Sequence, residues 1–124
     1  MKLLLDTHII LWWQTDDSRL GARARQAIAT ADLVWASAVS AWEVAIKISL
    51  GRLRLSDPFG LLVQTNEFTE LPVMVRHTDT LATLPPHHPD PFDRLLIAQA
   101  LTERATLVTH DRGFAPYGVE TIWT

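Results

Sequence analysis

The sequence predicts an α/β protein whose parallel sheet is covered by helices on both faces. Three observations carry that prediction. Leu3-Leu4-Leu5, Leu33-Val34-Trp35-Ala36 and Thr106-Leu107-Val108-Thr109 are short β-prone runs without polar alternation, as strands buried on both faces are. Segments whose apolar residues recur with helical spacing separate these runs. Ser, Asp, Pro and Gly stand where the intervening helices would start and stop. The 124 residues suit one domain, residues 1–124, with no linker, low-complexity segment or internal repeat. With 48% hydrophobic and 20% charged residues, the chain is a folded one rather than a disordered one.

Taken in order, residues 2–5 form the first strand, which runs into a polar Asp6-Thr7-His8. Residues 9–14 form a short helix. Ser18 caps a second helix reaching Ala31, with Leu20, Ala24, Ala27 and Ile28 on one face. Residues 33–36 are the second strand, and Ser37 opens a helix over 38–50 that Gly51 closes. Asp57-Pro58 and Asp90-Pro91 each read as an N-cap followed by proline at the first helical position. They start helices over 58–68 and 91–104. Residues 71–75 are a strand weakened by Pro72, and 78–84 a short helix stopped by Pro85-Pro86. Residues 106–109 and 119–123 supply the last strands.

Composition removes several functions. With no cysteine there is no disulfide framework, thiol nucleophile or thiolate zinc site. Eleven basic against 14 acidic residues leave a formal charge of −3, which argues against holding nucleic acid by charge alone. A polyanionic substrate would need a metal to supply positive charge. Asp6 cuts the leucine run too early for a signal peptide, and the next apolar stretch, 9–13, is too short to span a bilayer. The expectation is a soluble, cytoplasmic protein with no membrane contact.

Sites in open α/β sheets lie beyond the carboxyl ends of the strands. Asp6 and Asp111 stand there; capping of the next helix and a tight Asp111-Arg112-Gly113 turn are their plain structural explanations. Glu43 lies more than a turn inside the helix that Ser37 opens, beside Val39, Trp42 and Ile46. It also matches an i, i+4 pair with Lys47 worth only ~0.2–0.5 kcal/mol. Asp93 sits in the first turn of its helix, where the dipole favours an acid by ~0.3–1 kcal/mol. Singly these acids say little. A parallel sheet would bring all four together, and clustered carboxylates repel and raise one another's pKa unless a cation neutralises them. Oxygen-only donors favour Mg²⁺ or Mn²⁺ over zinc.

Leu3-Leu4-Leu5-Asp6-Thr7-His8, Ser40-Ala41-Trp42-Glu43, Asp90-Pro91-Phe92-Asp93-Arg94-Leu95-Leu96-Ile97-Ala98-Gln99-Ala100 and Leu107-Val108-Thr109-His110-Asp111 resemble, in order, the four acidic motifs of PIN-domain ribonucleases. The likeness is nearest to VapC-type toxins of type II toxin–antitoxin systems and covers nearly the whole chain. It implies a single PIN-like domain with a twisted parallel sheet, a homodimer and a cognate antitoxin. It further implies metal-dependent endoribonuclease activity with Asp6, Glu43, Asp93 and Asp111 as the metal-site acids. Asp6 and Asp93 would be the firmest Mg²⁺ ligands. Arg94 and Arg112 each follow a proposed ligand and are candidates for RNA phosphate contact, or for ion pairing with the acids. Thr109 is a candidate for orienting a ligand or water, or an ordinary strand threonine.

Other readings compete. His87, His88 and His110 would allow a metal-independent nuclease, although a histidine pair in the loop 85–91 reads as exposed. A dehalogenase-type phosphatase wants an acid where His8 stands. A phospho-receiver wants an Asp after the middle strand, which here ends Val34-Trp35-Ala36. The non-enzymatic alternative is a PIN-like scaffold or binding module, which has no reason to keep a repelling cluster. Trp12-Trp13 on a short helix suggest one core tryptophan and one exposed with Ile9 and Ile10 as a partner surface.

Overall fold

Leu3, Leu4 and Leu5 have no exposed surface, because the strand they form is the centre of the sheet. The computed structural model describes residues 1–124. Its elements run β1 (Lys2–Leu5), α1 (Thr7–Thr15), α2 (Ala22–Thr30), β2 (Leu33–Ser37), α3 (Ala38–Ser49), α4 (Phe59–Thr65), β3 (Thr69–Leu71), α5 (Val75–Thr83), α6 (Pro91–Glu103), β4 (Thr106–Thr109), a 3-10 segment (Arg112–Tyr117) and β5 (Thr121–Trp123). The five strands are all parallel, in the order β3-β2-β1-β4-β5.

Side-chain alternation splits the core in two. Leu3, Leu5, Ala36, Val108 and Ile122 face α1, α2 and α4, through residues such as Ile9, Ile10, Ile28 and Leu62. Leu4 and Leu107 face α3 and α6, through Val39, Leu96, Ile97 and Ala100. A sheet apolar on both sides thus lies between two helical layers, as its unalternating strands require. The first three strands run outward from β1 in one direction. The chain then returns to the far side of β1 for β4 and β5, so the switch point lies between β1 and β4, where open α/β sheets form their crevice.

Several local expectations shift. Asp57 caps nothing: α4 starts one residue later from Pro58 and stops at Thr65, and Glu67 turns the chain at φ 59°. Gly21, not Ser18, precedes α2. The strand expected at 71–75 lies instead at Thr69–Leu71, since Pro72 has no N–H to continue the ladder, and Val75 already opens α5. Asp90 and Ser37 cap as their positions predict: Asp90 Oδ1 accepts from the Phe92 N–H at 2.8 Å, and Ser37 Oγ accepts from the Val39 N–H at 3.0 Å.

Candidate active site

The two strands at the switch point place their last side chains side by side. Leu5 is in register with Val108, so Asp6 and Thr109 follow on the same face of adjacent strands. Thr109 Oγ1 donates to Asp6 Oδ2 at 2.8 Å and accepts the Asp111 N–H at 3.0 Å. One buried hydroxyl therefore spaces two of the acids. Asp6 has an extended backbone ahead of α1, yet its side chain caps nothing in that helix. Asp111 does cap: its Oδ1 accepts from the Gly113 N–H at 2.8 Å and starts the 3-10 segment. Gly113 needs no positive φ there.

Helices α3 and α6 bring the other two acids. Helix α3 begins directly after β2, which puts Glu43 over the end of β1. Thr7 Oγ1 lies 2.8 Å from both Glu43 Oε1 and Ser40 Oγ, and Lys47 Nζ lies 3.0 Å from Glu43 Oε2. The i, i+4 pair thus exists and aims the carboxylate. Asp93 enters from the first turn of α6. Asp6, Glu43, Asp93 and Asp111 line one crevice of about 460 Å³, together with His8, Trp12, Arg19, Lys47, Asp90, His110 and Arg112.

Charge in this crevice is unbalanced. Burial pushes the Asp93 carboxyl up to about 8, and Asp6, Asp90, Glu43 and Asp111 push the same way. Burial also raises Asp6, opposed by the Thr109 hydrogen bond. Asp111 differs: burial pushes it up, but hydrogen bonds from His88 and the Gly113 N–H outweigh that and leave it below the usual carboxylate range. Lys47 neutralises Glu43 alone, and Arg19 is already engaged by Asp17 at 2.7 Å. The donors are predominantly hard oxygens from four segments, held by Thr109, Thr7 and backbone N–H groups. That set fits a small divalent cation such as Mg²⁺ or Mn²⁺.

The remaining candidates fall differently. Arg112 lines the crevice with its guanidinium 4.5 Å over the Trp123 ring. Arg94 does not line it and pairs with no acid. Its guanidinium donates to the Pro85 carbonyl at 2.9 Å and the Tyr117 hydroxyl at 3.2 Å, so it tethers the loop before α6. The expectation of an exposed His87-His88 pair is half corrected: His87 is exposed, but His88 is packed against the acids, its Nε2 2.8 Å from Asp111 Oδ2 and 3.3 Å from Asp93 Oδ2. Adjacent loop histidines carry no periodicity, so only the fold separates them. The tryptophan surface is also corrected. Ile9 and Ile10 are fully buried, Trp12 is buried, and Trp13 packs on the same core beside Phe68. The exposed aromatic is Trp42, 59% exposed, with its ring edge-on to Phe92.

A doubly covered parallel sheet with four carboxylates gathered at its switch point defines an α/β protein of the acid-site type. The PIN domain family model matches residues 3–119, and the chain belongs to that family. It is 36% identical over 115 residues to Ribonuclease VapC22 of Mycobacterium tuberculosis, covering 89% of this chain and 87% of that protein. Its fold is similar to that of VapBC2 from Rickettsia felis bound to a promoter DNA fragment, with TM-score 0.76, 15% identity and 98% of each chain covered. It is also similar to DNA-bound VapBC from Salmonella typhimurium, with TM-score 0.69, 14% identity and 98% and 96% coverage. No helix is long and apolar enough to cross a membrane.

Proposed function

We propose that this chain is a Mg²⁺- or Mn²⁺-dependent endoribonuclease, the toxin of a toxin–antitoxin pair. The observation that carries the reading is the convergence of Asp6, Glu43, Asp93 and Asp111 on one crevice, with Asp93 pushed to about 8 by burial and by its acidic neighbours. Such a cluster is costly in an empty site and useful in a loaded one. Relatives add the substrate class and partner: one is named a ribonuclease, and structural neighbours are toxin–antitoxin complexes. We further propose that it pairs with a cognate antitoxin, in line with the toxin–antitoxin neighbour, and that it is a cytoplasmic homodimer.

When bound, the cation supplies Lewis acidity that stabilises charge on the phosphoryl oxygens and lowers the pKa of the attacking water. Asp6 and Asp93 would be its firmest ligands, with Asp111 next and Glu43 joining directly or through water. Thr109 keeps Asp6 and Asp111 at a set spacing and touches no substrate in this arrangement. Thr7 and Lys47 hold Glu43. Arg112, stacked on Trp123, is placed to meet a phosphate of single-stranded RNA. In the proposed hydrolysis the oxygen of water bonds to phosphorus as the bond to the 3′ oxygen breaks; one proton of the water ends on that oxygen, giving a 3′-hydroxyl and a 5′-phosphate.

The test is cleavage of a mixed RNA pool by the antitoxin-free protein in Mg²⁺, Mn²⁺ or EDTA, alongside Asp6→Asn and Asp93→Asn. Cutting that needs the metal and disappears in both variants is expected. Cutting that survives EDTA would move the chemistry to the histidines. No cutting and no stabilisation by divalent ions would leave a scaffold.

A further inference from the structure

We infer that His88 positions the acid cluster as a hydrogen-bond donor and does not itself ligate the cation. The inference rests on the metal-site reading above and adds a residue to it. The Asp90 N–H donates to His88 Nδ1 at 3.1 Å. A backbone N–H can only donate, so Nδ1 presents its lone pair and the ring proton sits on Nε2. That proton faces Asp111 Oδ2 at 2.8 Å, with Asp93 Oδ2 at 3.3 Å.

The ring is seated from several sides. The His88 N–H donates to the Tyr117 hydroxyl at 2.7 Å, and the Phe114 ring lies edge-on with centroids 5.5 Å apart. Arg94 ties the loop to the same Tyr117 hydroxyl. Beneath lies Gly113, where a Cβ would come 2.9 Å from His88 Cδ2 and 3.0 Å from Asp111 Oδ1. Ring and carboxylate therefore rest against bare backbone, and glycine is required by close approach.

Proximity alone would suggest the opposite role. Donor atoms of His88, Asp93 and Asp111 lie within 4.8 Å of one another, close enough for a three-ligand site. Ligation through Nε2 would force the proton onto Nδ1, donor against donor with Asp90. Ligating histidines show the reverse arrangement, with the free nitrogen donating to a carbonyl or carboxylate. Asp111 Oδ2 has a second acceptor position, so it can take the His88 proton and a cation together.

The experiment uses Mn²⁺ alone with the full chain, without RNA. It measures affinity and, by spin-echo modulation, any nitrogen bound directly to the ion. Melting in EDTA checks that each variant folds. His88→Ala and His88→Asn are expected to weaken Mn²⁺ binding about 10–100-fold, the usual effect of losing an outer-sphere partner. His88→Gln, which can place an N–H near the lost Nε2, restores most of the affinity. Gly113→Ala weakens binding by dislodging the ring, and the wild type shows no directly bound nitrogen. A bound-nitrogen signal would overturn the inference. So would rescue by Asn rather than Gln, which keeps the acceptor for Asp90 and would mark a purely loop-holding role. Unchanged affinity in every variant would also overturn it. A wild type that binds no Mn²⁺ would instead remove the metal-site reading, and this inference with it.

Discussion

At the C-terminal end of α6 Glu103 meets His77, and at its N-terminal end Asp93 meets His88. The two histidines are wired alike. His77 Nδ1 accepts the Met74 N–H at 2.9 Å and its Nε2 lies 2.7 Å from Glu103 Oε2, as His88 takes the Asp90 N–H and faces Asp111 and Asp93. The acidities of Asp93 and Glu103 nevertheless diverge. Hydrogen bonds from His77, and next from Arg76 at 2.7 Å, hold Glu103 below its usual range. Burial and four neighbouring acids drive Asp93 to about 8. A histidine–carboxylate contact therefore says little about function by itself. The chain closes the Glu103 network with its own arginine and leaves the Asp93 end without one.

The sharpest break would come from activity. Asp6→Asn and Asp93→Asn are expected to cut metal-dependent RNA cleavage more than about 100-fold, beyond the ordinary effect of an outer-sphere loss. Glu103→Gln should leave the rate near wild type. Equal losses at both ends, measured on the same RNA, would end the distinction between them. Next in size is stabilisation by the cation. Mn²⁺ at about 100 times its Kd should add ~2.7 kcal/mol, roughly 10 °C in Tm for a chain of this length. Glu103→Gln should keep that gain and Asp93→Asn lose it, as calorimetry would show.

Melting against pH in EDTA sharpens the contrast further, because the signs oppose. Asp93 keeps its proton to about 8, whereas its ordinary value is 3.8. Its contribution is whole below that ordinary value and is lost as pH climbs towards 8. Asp93→Asn should therefore raise Tm at pH 8 in EDTA and flatten the profile. Glu103 is lowered from 4.5, so its contribution is present above that value and lost as pH falls. Glu103→Gln should lower Tm near neutrality, and the deficit should vanish in acid. Smallest are the caps: Asp90→Ala is expected to lower stability by about 1 kcal/mol, and Asp57→Ala by less than about 0.5 kcal/mol because that side chain caps nothing.

Four of the strands, and the four acids that meet in the crevice, were legible because they sit where periodicity and strand ends are informative. Leu3 to Leu5 read as a buried strand, and Asp6 and Asp111 follow strands. Glu43 stood out by being a turn too deep for a cap. Residues whose work depends on contacts across the fold were not legible. Thr109 could be read as orienting a ligand or water or as an ordinary strand threonine, and only the pairing of β4 with β1 sets its hydroxyl between two acids. His88 and His87 are indistinguishable in a proline-rich loop. Arg94, next to Asp93 in sequence, turns out to serve the loop, because the helix carries adjacent residues to different faces. The misplaced tryptophan surface has the same cause: Ile9, Ile10 and Trp12 lie against a sheet face that their own segment does not reveal.

Because β1 is central and its neighbour on the switch side is β4, the crevice has a timetable. Asp6 leaves the ribosome 103 residues ahead of Thr109, with which it must share that crevice. The nascent protein can carry β1, α1, α2, β2 and α3, and so Asp6 and Glu43, without a crevice between them. A premature stop ahead of residue 106 would remove β4 and with it the hydroxyl that spaces the acids. The crevice is thus assembled only once β4 has been made, and a copy cut short before that strand lacks the crevice by its own topology.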